Sequence, residues 1–208
     1  MAFVHLVEGD ARYSFYDMGS AGRERRLSDI PSVPTDVRAM TFCSISLSTE
    51  LCCEFFEELV LKEQPKRVIM LDPNNRPALV NHEAHYRQRL SRMFRISDIV
   101  KISEGDLDWL SKGAGEEWLR SLTGPLVLLT RGSKGCTVFI REHRTVSVQA
   151  LQVPVSDTVG AGDAFNARLL FALNRLGCLT KAGIKALDAA DIFEVLGFAS
   201  LVAGHSVQ

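Results

Sequence analysis

The chain has 208 residues, and its 24 basic and 25 acidic side chains leave a formal net charge of −1. A chain of this length can bury one sizeable core, and its charge balance gives no reason to expect a nucleic acid partner. The five cysteines form no C-x-x-C pair, which is typical of buried thiols in a reducing cytosol. Acidic residues interrupt the apolar start and no apolar run is long enough to span a bilayer, so we expect a soluble, cytoplasmic protein.

The N-terminal part of the sequence predicts a β-hairpin. Residues 3–7 and 12–16 read as short strands around the turn signal Glu8-Gly9-Asp10, and aromatic residues cluster in them. Residues 22–36 are polar and carry two prolines, which indicates an irregular connection. We therefore expect residues 1–36 to form a hairpin with its connection and residues 37–208 to form the main domain. The hairpin by itself fits a half-buried sheet edge.

The main domain carries strand and helix patterns in turn. Strands are predicted at residues 39–44, 67–71, 97–103 and 125–130, and helices at residues 48–61, 82–95, 181–187 and 190–202. The run at 67–71 is continuously apolar, as a strand of a parallel sheet covered on both faces requires.

Polar residues follow that apolar run directly, in the order Asp72-Pro73-Asn74-Asn75-Arg76-Pro77. Ligands of open α/β sheets bind beyond the carboxyl ends of the strands, so Asp72, Asn74 and Arg76 stand where polar groups would face a ligand. The same residues also fit a plain Asx/Pro turn.

Two further loops follow predicted strands. Asp106 and Asp108 come shortly after the strand at 97–103, where they fit the first-turn charges of a helix. Residues 131–135 separate the strand at 125–130 from an extended run at 136–140, which predicts a hairpin turn with glycines at positive φ.

The stretch most indicative of chemistry is Asp157-Thr158-Val159-Gly160-Ala161-Gly162-Asp163-Ala164-Phe165. An extended pattern precedes it at 146–155 and apolar residues at helical spacing follow it, so Gly160 to Asp163 should begin a helix. The bare first-turn amides and the helix dipole attract anions, phosphate above all. A carboxylate beside such a site suits a base that takes a proton from a hydroxyl attacking phosphorus.

Two other interpretations fit part of this stretch. Asp163 and the glycines are also common as dipole partner and turn residues at helix starts. Gly160-x-Gly162 begins like a dinucleotide-binding fingerprint, but position 165 is Phe, the segment before it alternates apolar with polar, and no Walker A motif occurs in the sequence. These features argue against a dinucleotide-binding oxidoreductase.

DTVGAGDAF, with Asn166-Ala167-Arg168-Leu169-Leu170 after it, closely resembles the C-terminal signature of the ribokinase-like (PfkB-type) sugar kinases. The resemblance implies an α/β fold, a three-layer α/β/α sandwich with a mainly parallel sheet and a small β lid. It also implies ATP-dependent phosphorylation of a sugar hydroxyl with Mg²⁺. Within the family, we expect fructokinase activity, with 2-keto-3-deoxygluconate kinase as an alternative. By the same resemblance, the amides of Gly160, Ala161 and Gly162 form an anion hole and Asp163 is the catalytic base.

The earlier blocks resemble the family in the same order. Residues 72–76 are similar to its D-x-N-x-R block beside the sugar and phosphate, and residues 130–135 to its T-x-G-x-x-G nucleotide loop. The hairpin resembles the lid that covers the sugar and through which relatives form dimers, so a homodimer is expected. The implied substrate contacts are Arg12, Tyr16, Asn74 and Arg76. The implied nucleotide-side residues are Lys101, Ser103, Thr130, Gly132, Gly135 and Asp157, the last of which belongs to a monovalent-cation (K⁺) site in relatives.

The sequence departs from the family pattern at several places. Asp17 stands where many relatives carry an Arg that suits a substrate carboxylate, so we expect a neutral sugar. Ser103 and Asp106 take the places of the N-x-x-E block, which leaves Asp106 to hold water near Mg²⁺. The family's Gly-Gly motif and sugar-gripping Asn, which precede the lid, and its final adenine-pocket segment have no counterpart in these 208 residues. A second hypothesis is therefore a non-catalytic nucleotide- or sugar-binding module on the same scaffold.

Overall fold

The computed structural model describes residues 2–7, 10–49, 52–122, 124–140, 144–154 and 158–205. Its strands are β1 (Ala2–Val7), β2 (Asp10–Phe15), β3 (Ala39–Cys43), β4 (Val68–Asp72), β5 (Ile99–Ser103), β6 (Leu126–Thr130), β7 (Cys136–Phe139) and β8 (Thr145–Val148). Its helices are α1 (Ile45–Ser48), α2 (Cys52–Glu63), α3 (Glu83–Ile96), α4 (Glu104–Ser111), α5 (Glu116–Ser121), α6 (Ala161–Arg175), α7 (Lys181–Ala186) and α8 (Ala189–His205).

The predicted N-terminal hairpin is confirmed. Strands β1 and β2 pair antiparallel in a sheet of their own, from Ala2 opposite Phe15 to Val7 opposite Asp10. The connection that follows contains one short 3-10 turn, Leu27–Asp29. Its end is fixed to the main domain by Arg67, whose guanidinium donates to the carbonyl oxygens of Val33 and Pro34 at 2.9 and 2.7 Å. The division into a lid and a core at residue 36 stays a prediction.

The main sheet has six strands in the order β3-β4-β5-β6-β7-β8. The pairings from β3 to β6 are parallel, and those of β6 with β7 and β7 with β8 are antiparallel. The extended segment expected at 146–155 is a strand only as far as Val148. Val148 pairs with Cys136, the first residue of β7, so beyond it the neighbouring strand has ended.

Helices cover both faces of this sheet, which confirms the three-layer α/β/α prediction. On β4, Ile69 and Leu71 pack toward α2, α3, α4 and α5, whereas Val68 and Met70 pack toward α6, α7 and α8. This alternation places a separate apolar core on each side of the sheet, and it explains why residues 68–71 are continuously apolar.

Several helix bounds differ from the expectation. The helix predicted at 48–61 corresponds to α2 (Cys52–Glu63), and the short helix α1 comes before it; residues 50 and 51 lie outside the described part of the chain. Ser44, at φ 58°, turns the chain from β3 into α1, and Thr49 ends α1. Among the described residues, no helix is long and apolar enough to cross a membrane. All five cysteines are free thiols, and three of them are buried.

Candidate active site

The parallel strands of the main sheet end along one edge. Cys43 lies opposite Asp72 at the ends of β3 and β4, and Ser103 lies opposite Thr130 at the ends of β5 and β6. Since carboxyl ends of parallel strands are where ligands bind in open α/β folds, this edge is the first place to look for a site.

Helix α6 begins as the sequence predicted. Gly160 is its N-cap residue and adopts φ 81°, ψ −5°, a left-handed conformation that glycine reaches at little cost. Ala161 and Gly162 form the start of the first turn, and the Ala164 amide donates the first helical hydrogen bond to the Gly160 carbonyl at 2.8 Å. The Ala161 amide donates to the carbonyl of Thr158 at 3.3 Å, a long bond that an incoming anion can replace.

Asp163 lies in this first turn with its side chain exposed. No hydrogen bond or ion pair of its carboxylate occurs within the described residues. Burial raises the pKa of the Cys43 thiol, and the nearby carboxylates of Asp72 and Asp163 raise it further. The electrostatic coupling places Asp163, Asp72 and Cys43 in one neighbourhood.

A buried ionic network lies behind this turn. The Lys101 ammonium donates to Asp72 Oδ2 at 2.8 Å, and the Asn166 side-chain amide donates to the same oxygen at 2.8 Å. The exposed fractions are 1% for Asp72 and 5% each for Lys101 and Asn166. A Cβ atom built on Gly162 would lie 3.4 Å from Lys101 Nζ, so the ammonium sits directly against the first turn of α6.

A cavity of about 230 Å³ adjoins the start of α6. Its walls include Thr130, Gly132 and Gly135 from one side and Ala161 and Gly162 from the other. The predicted nucleotide loop and the predicted anion hole therefore line one space. Gly135, at φ 94°, leaves no room for a side chain, because a Cβ there would lie 2.1 Å from the carbonyl oxygen of Val148.

Ser103 and Asp106 form a capping box at the start of α4. Ser103 Oγ accepts from the Asp106 amide at 3.1 Å and donates to Asp106 Oδ2 at 2.6 Å. Asp106 Oδ1 accepts from the Asn75 amide at 2.6 Å, which ties the loop after β4 to α4. The interpretation of Asp106 as a first-turn helix charge is confirmed. The side-chain amide of Asn75 is buried and has no hydrogen-bond partner among the described residues.

Three of the predicted substrate residues, Asn74, Arg76 and Tyr16, make contacts within their own loop or with the hairpin. Asn74 adopts φ 39° in the loop after β4, and the Arg76 guanidinium donates to the carbonyls of Asn74 and Asn75 at 3.1 and 3.0 Å. Tyr16 is exposed and meets Phe3 edge to face, with ring centroids 5.6 Å apart.

Two further predicted residues lie partly or wholly outside the described residues. The backbone of Arg12 pairs with His5 in the hairpin, and its side chain lies outside the described part of the structure. Asp157 lies outside the described residues altogether.

Asp17 forms an ion pair with Arg23 at 3.0 Å. The expectation of a neutral sugar assumed that Asp17 presents an unbalanced negative charge. Because a guanidinium compensates that charge, Asp17 no longer discriminates between neutral and acidic sugars.

Sequence reasoning did not assign roles to Asp72 and Asn166 in the buried network. Asp72 was visible as the residue at the end of β4, and Asn166 as a polar residue three positions after Asp163. Their contact joins residues 94 positions apart, so no local sequence pattern predicts it.

The comparisons with known proteins agree on one family. The model of the pfkB family carbohydrate kinases matches residues 2–208. A fructokinase from Rhizobium leguminosarum bv. trifolii is 40% identical over 193 residues, which cover 90% of this chain and 59% of that protein. The chain thus spans about three fifths of the length of this curated relative.

Solved structures agree on the fold. A fructokinase from Vibrio cholerae O395 with fructose, ADP and calcium ion bound superposes with a TM-score of 0.81 at 24% identity, covering 100% of this chain and 66% of that one. A sugar kinase from Pyrococcus horikoshii in complex with ATP superposes with a TM-score of 0.80 at 27% identity, covering 100% and 64%. The family match also disfavours the dinucleotide-binding alternative. From its family match, its relatives and its fold, we conclude that this chain belongs to the pfkB family of carbohydrate kinases.

Proposed function

We propose that this protein transfers the γ-phosphoryl group of ATP to a sugar hydroxyl, with fructose as the expected sugar. The observation that carries the proposal is the first turn of α6, where the exposed carboxylate of Asp163 follows three small residues, two of which line the cavity. The fructokinase names of its relatives support fructose over 2-keto-3-deoxygluconate.

The cavity beside α6 is the proposed nucleotide site. Thr130, Gly132 and Gly135 present backbone and a hydroxyl on one wall, and small residues leave the wall of α6 open to phosphate. Lys101 adds positive charge behind that wall, although its ammonium is paired with Asp72. Ser103, at the end of strand β5, is also assigned to the nucleotide site.

In the proposed reaction, Asp163 takes the proton of the attacking sugar hydroxyl. The amides of Gly160, Ala161 and Gly162 stabilise the charge that develops on the phosphoryl oxygens as the group moves. This requires the Ala161 amide to exchange its long bond to Thr158 for the phosphoryl oxygen, which costs little because that bond is 3.3 Å.

The donors at the strand ends fit a magnesium ion held mainly by substrate. Mg²⁺ is commonly bound through one or two carboxylates together with phosphates, and its role is to neutralise charge on the phosphates. Both oxygens of Asp106 already accept hydrogen bonds, from Asn75 and Ser103. We therefore assign Asp106 to hold a water of the ion rather than the ion itself. Asp157 is proposed for a K⁺ site.

On the sugar side, the proposal assigns Arg12, Tyr16, Asn74 and Arg76 as contacts. The Arg76 guanidinium donates to carbonyl oxygens of its own loop, and these hydrogen bonds also hold Asn74 in its left-handed conformation.

The hairpin is the proposed surface for a second copy of the chain. Phe3, Val4, Tyr16 and Met18 are apolar or aromatic and exposed on or next to it, and a dimer would cover them. Light scattering of the purified protein tests this, because a monomer at all concentrations would contradict it. The five free thiols support a reducing compartment, and we propose the cytoplasm.

The test of the proposed function is ADP release from MgATP across a panel of acceptors: fructose, ribose, 2-keto-3-deoxygluconate, tagatose-6-phosphate and adenosine. We expect fructose to drive ADP release well above the rate without sugar. Nucleotide binding without ADP release for any sugar would contradict a kinase and favour a nucleotide-binding module.

A further inference from the structure

Within the described residues, two polar side chains of helix α6, one near each of its ends, contact the sheet or the residue that leads into it. Near its start, Asn166 donates to Asp72 on β4 at 2.8 Å, and this contact is buried. Near its end, Asn174 accepts from Arg38 at 3.1 Å, and this contact is exposed. Water competes for the second contact but not for the first, so the first is the one that can fix the helix at its catalytic end.

Asp72 is a rigid acceptor. Lys101, on the adjacent strand β5, holds the same oxygen at 2.8 Å, and both side chains are almost fully buried. The amide of Asn166 thus meets an oxygen whose position is set by two neighbouring strands of the central sheet.

Asn166 lies three residues after Asp163, which places the two side chains on neighbouring positions of the helix surface. The Asp163 carboxylate has no partner within the described residues that would hold it, so its placement depends on the position and rotation of the first turn of α6. A contact that fixes this turn limits where the carboxylate can point.

The contacts of the Asn166 side chain are better explained by a role in positioning helix α6 than by a gain in the stability of the fold. Its Oδ1 is buried without a hydrogen-bond partner among the described residues. An unpaired buried oxygen costs free energy, so the amide is not accounted for by a gain in stability alone.

We propose that Asn166 is a positioning residue for Asp163: by donating to the buried Asp72–Lys101 pair, it fixes the rotation of α6 and so aims the catalytic carboxylate at the acceptor hydroxyl. The inference rests on the proposed function for its consequence in catalysis, but its structural part can be measured without activity.

The test compares Asn166→Leu with the matched control Asn174→Leu on the same helix. Asn166→Leu leaves the Asp72–Lys101 pair intact and should lower kcat by about tenfold to a hundredfold, the scale of a small misplacement of a reacting group. Its KM for MgATP should change little, because the nucleotide cavity lies on other residues. Asn174→Leu should leave both constants unchanged.

Hydrogen exchange supplies the readout that does not need turnover. The Ala164 amide closes the first turn of α6, and its exchange should accelerate in Asn166→Leu while exchange in β4 and β5 stays near the wild-type rate. The exchanged pair Asp72→Asn/Asn166→Asp retains one carboxylate and one amide, and it should recover part of the lost kcat and of the first-turn protection.

Wild-type kcat and wild-type first-turn exchange in Asn166→Leu would overturn the proposal. So would an equal loss in Asn174→Leu, because that would show a general loosening of the helix. If the wild-type chain releases no ADP with any sugar, the proposed function fails, and the exchange at Ala164 still decides whether Asn166 positions the first turn.

Discussion

At the scale of single residues, the pKa of the Cys43 thiol depends on the charged groups of the candidate active site. It is half-buried at the end of β3, and burial is the largest cause of its raised pKa, followed by Asp72 and then Asp163, while Lys101 acts in the opposite direction. A thiolate there would add negative charge beside two carboxylates, so the thiol stays protonated near neutral pH.

This coupling predicts that Asp163→Asn makes Cys43 more reactive. Removing the carboxylate charge removes one cause of the raised pKa, so at pH 8 a larger fraction of Cys43 is thiolate and alkylation by iodoacetamide is faster. Mass spectrometry of the alkylated protein measures the rate at Cys43. Cys178, half-buried beyond the other end of α6, is the control thiol and should react as before. An unchanged rate at Cys43 would mean that Asp163 does not approach it.

At the scale of elements, glycine occurs at two positions at the start of α6, and the physical reason differs between them. Gly160 adopts φ 81°, which strains any other residue, and it has no atom within 4 Å of a built Cβ. Gly162 is helical, and its Cβ would meet only the Lys101 ammonium, at 3.4 Å. The left-handed backbone requires the first glycine, and the second leaves room for the Lys101 ammonium against the first turn.

The two substitutions to alanine should therefore act in opposite ways on stability. Gly160→Ala should lower the free energy of unfolding by about 1–2 kcal/mol, because a left-handed conformation is unfavourable for a residue with a Cβ. Gly162→Ala should keep or raise stability, by up to about 1 kcal/mol from helix propensity. It should nevertheless lower kcat, because its methyl group would lie against the Lys101 ammonium, whose positive charge stands behind the anion site. Urea denaturation and ADP release measure both effects. Full activity in Gly162→Ala would contradict a role for Lys101 behind the anion site.

The sequence predicted elements where a single pattern decides the outcome. The continuous apolar run before Asp72 indicates a buried parallel strand, and glycines followed by helical spacing indicate the start of α6. Both are confirmed. It did not reveal that Lys101 and Asp72 pair across 29 positions or that Asn166 joins them, because a tertiary contact decides which polar residue is buried. Strand β8 ended early for the same reason, since its length depends on β7.

At the scale of the whole molecule, buried ionisable groups make stability depend on alkaline pH. Burial raises the pKa of the Cys136 thiol to about 12 and also raises that of the Tyr86 hydroxyl. Because the folded-state pKa lies above the unfolded-state value, the contribution of Cys136 is complete below about pH 9 and is lost as pH rises toward about 12.

Between pH 9 and pH 11 we expect the free energy of unfolding to fall with a slope that approaches about 1.4 kcal/mol per pH unit for each group that titrates, which is Cys136 from about pH 9 and Tyr86 from about pH 10. Cys136→Ala removes one of them, so its stability should fall less steeply over that range even if it starts lower. Denaturant titrations at several pH values measure the slope. An equal slope in Cys136→Ala would show that the thiol is not ionised on unfolding.

If Asp163 is the base of a sugar kinase, ADP release with fructose should separate wild type from Asp163→Asn. The substitution keeps the shape of the side chain and removes its capacity to take a proton. We expect kcat to fall by about a hundredfold or more, with MgATP affinity within about threefold of wild type. Turnover of fructose by Asp163→Asn at the wild-type rate would rule out Asp163 as the base.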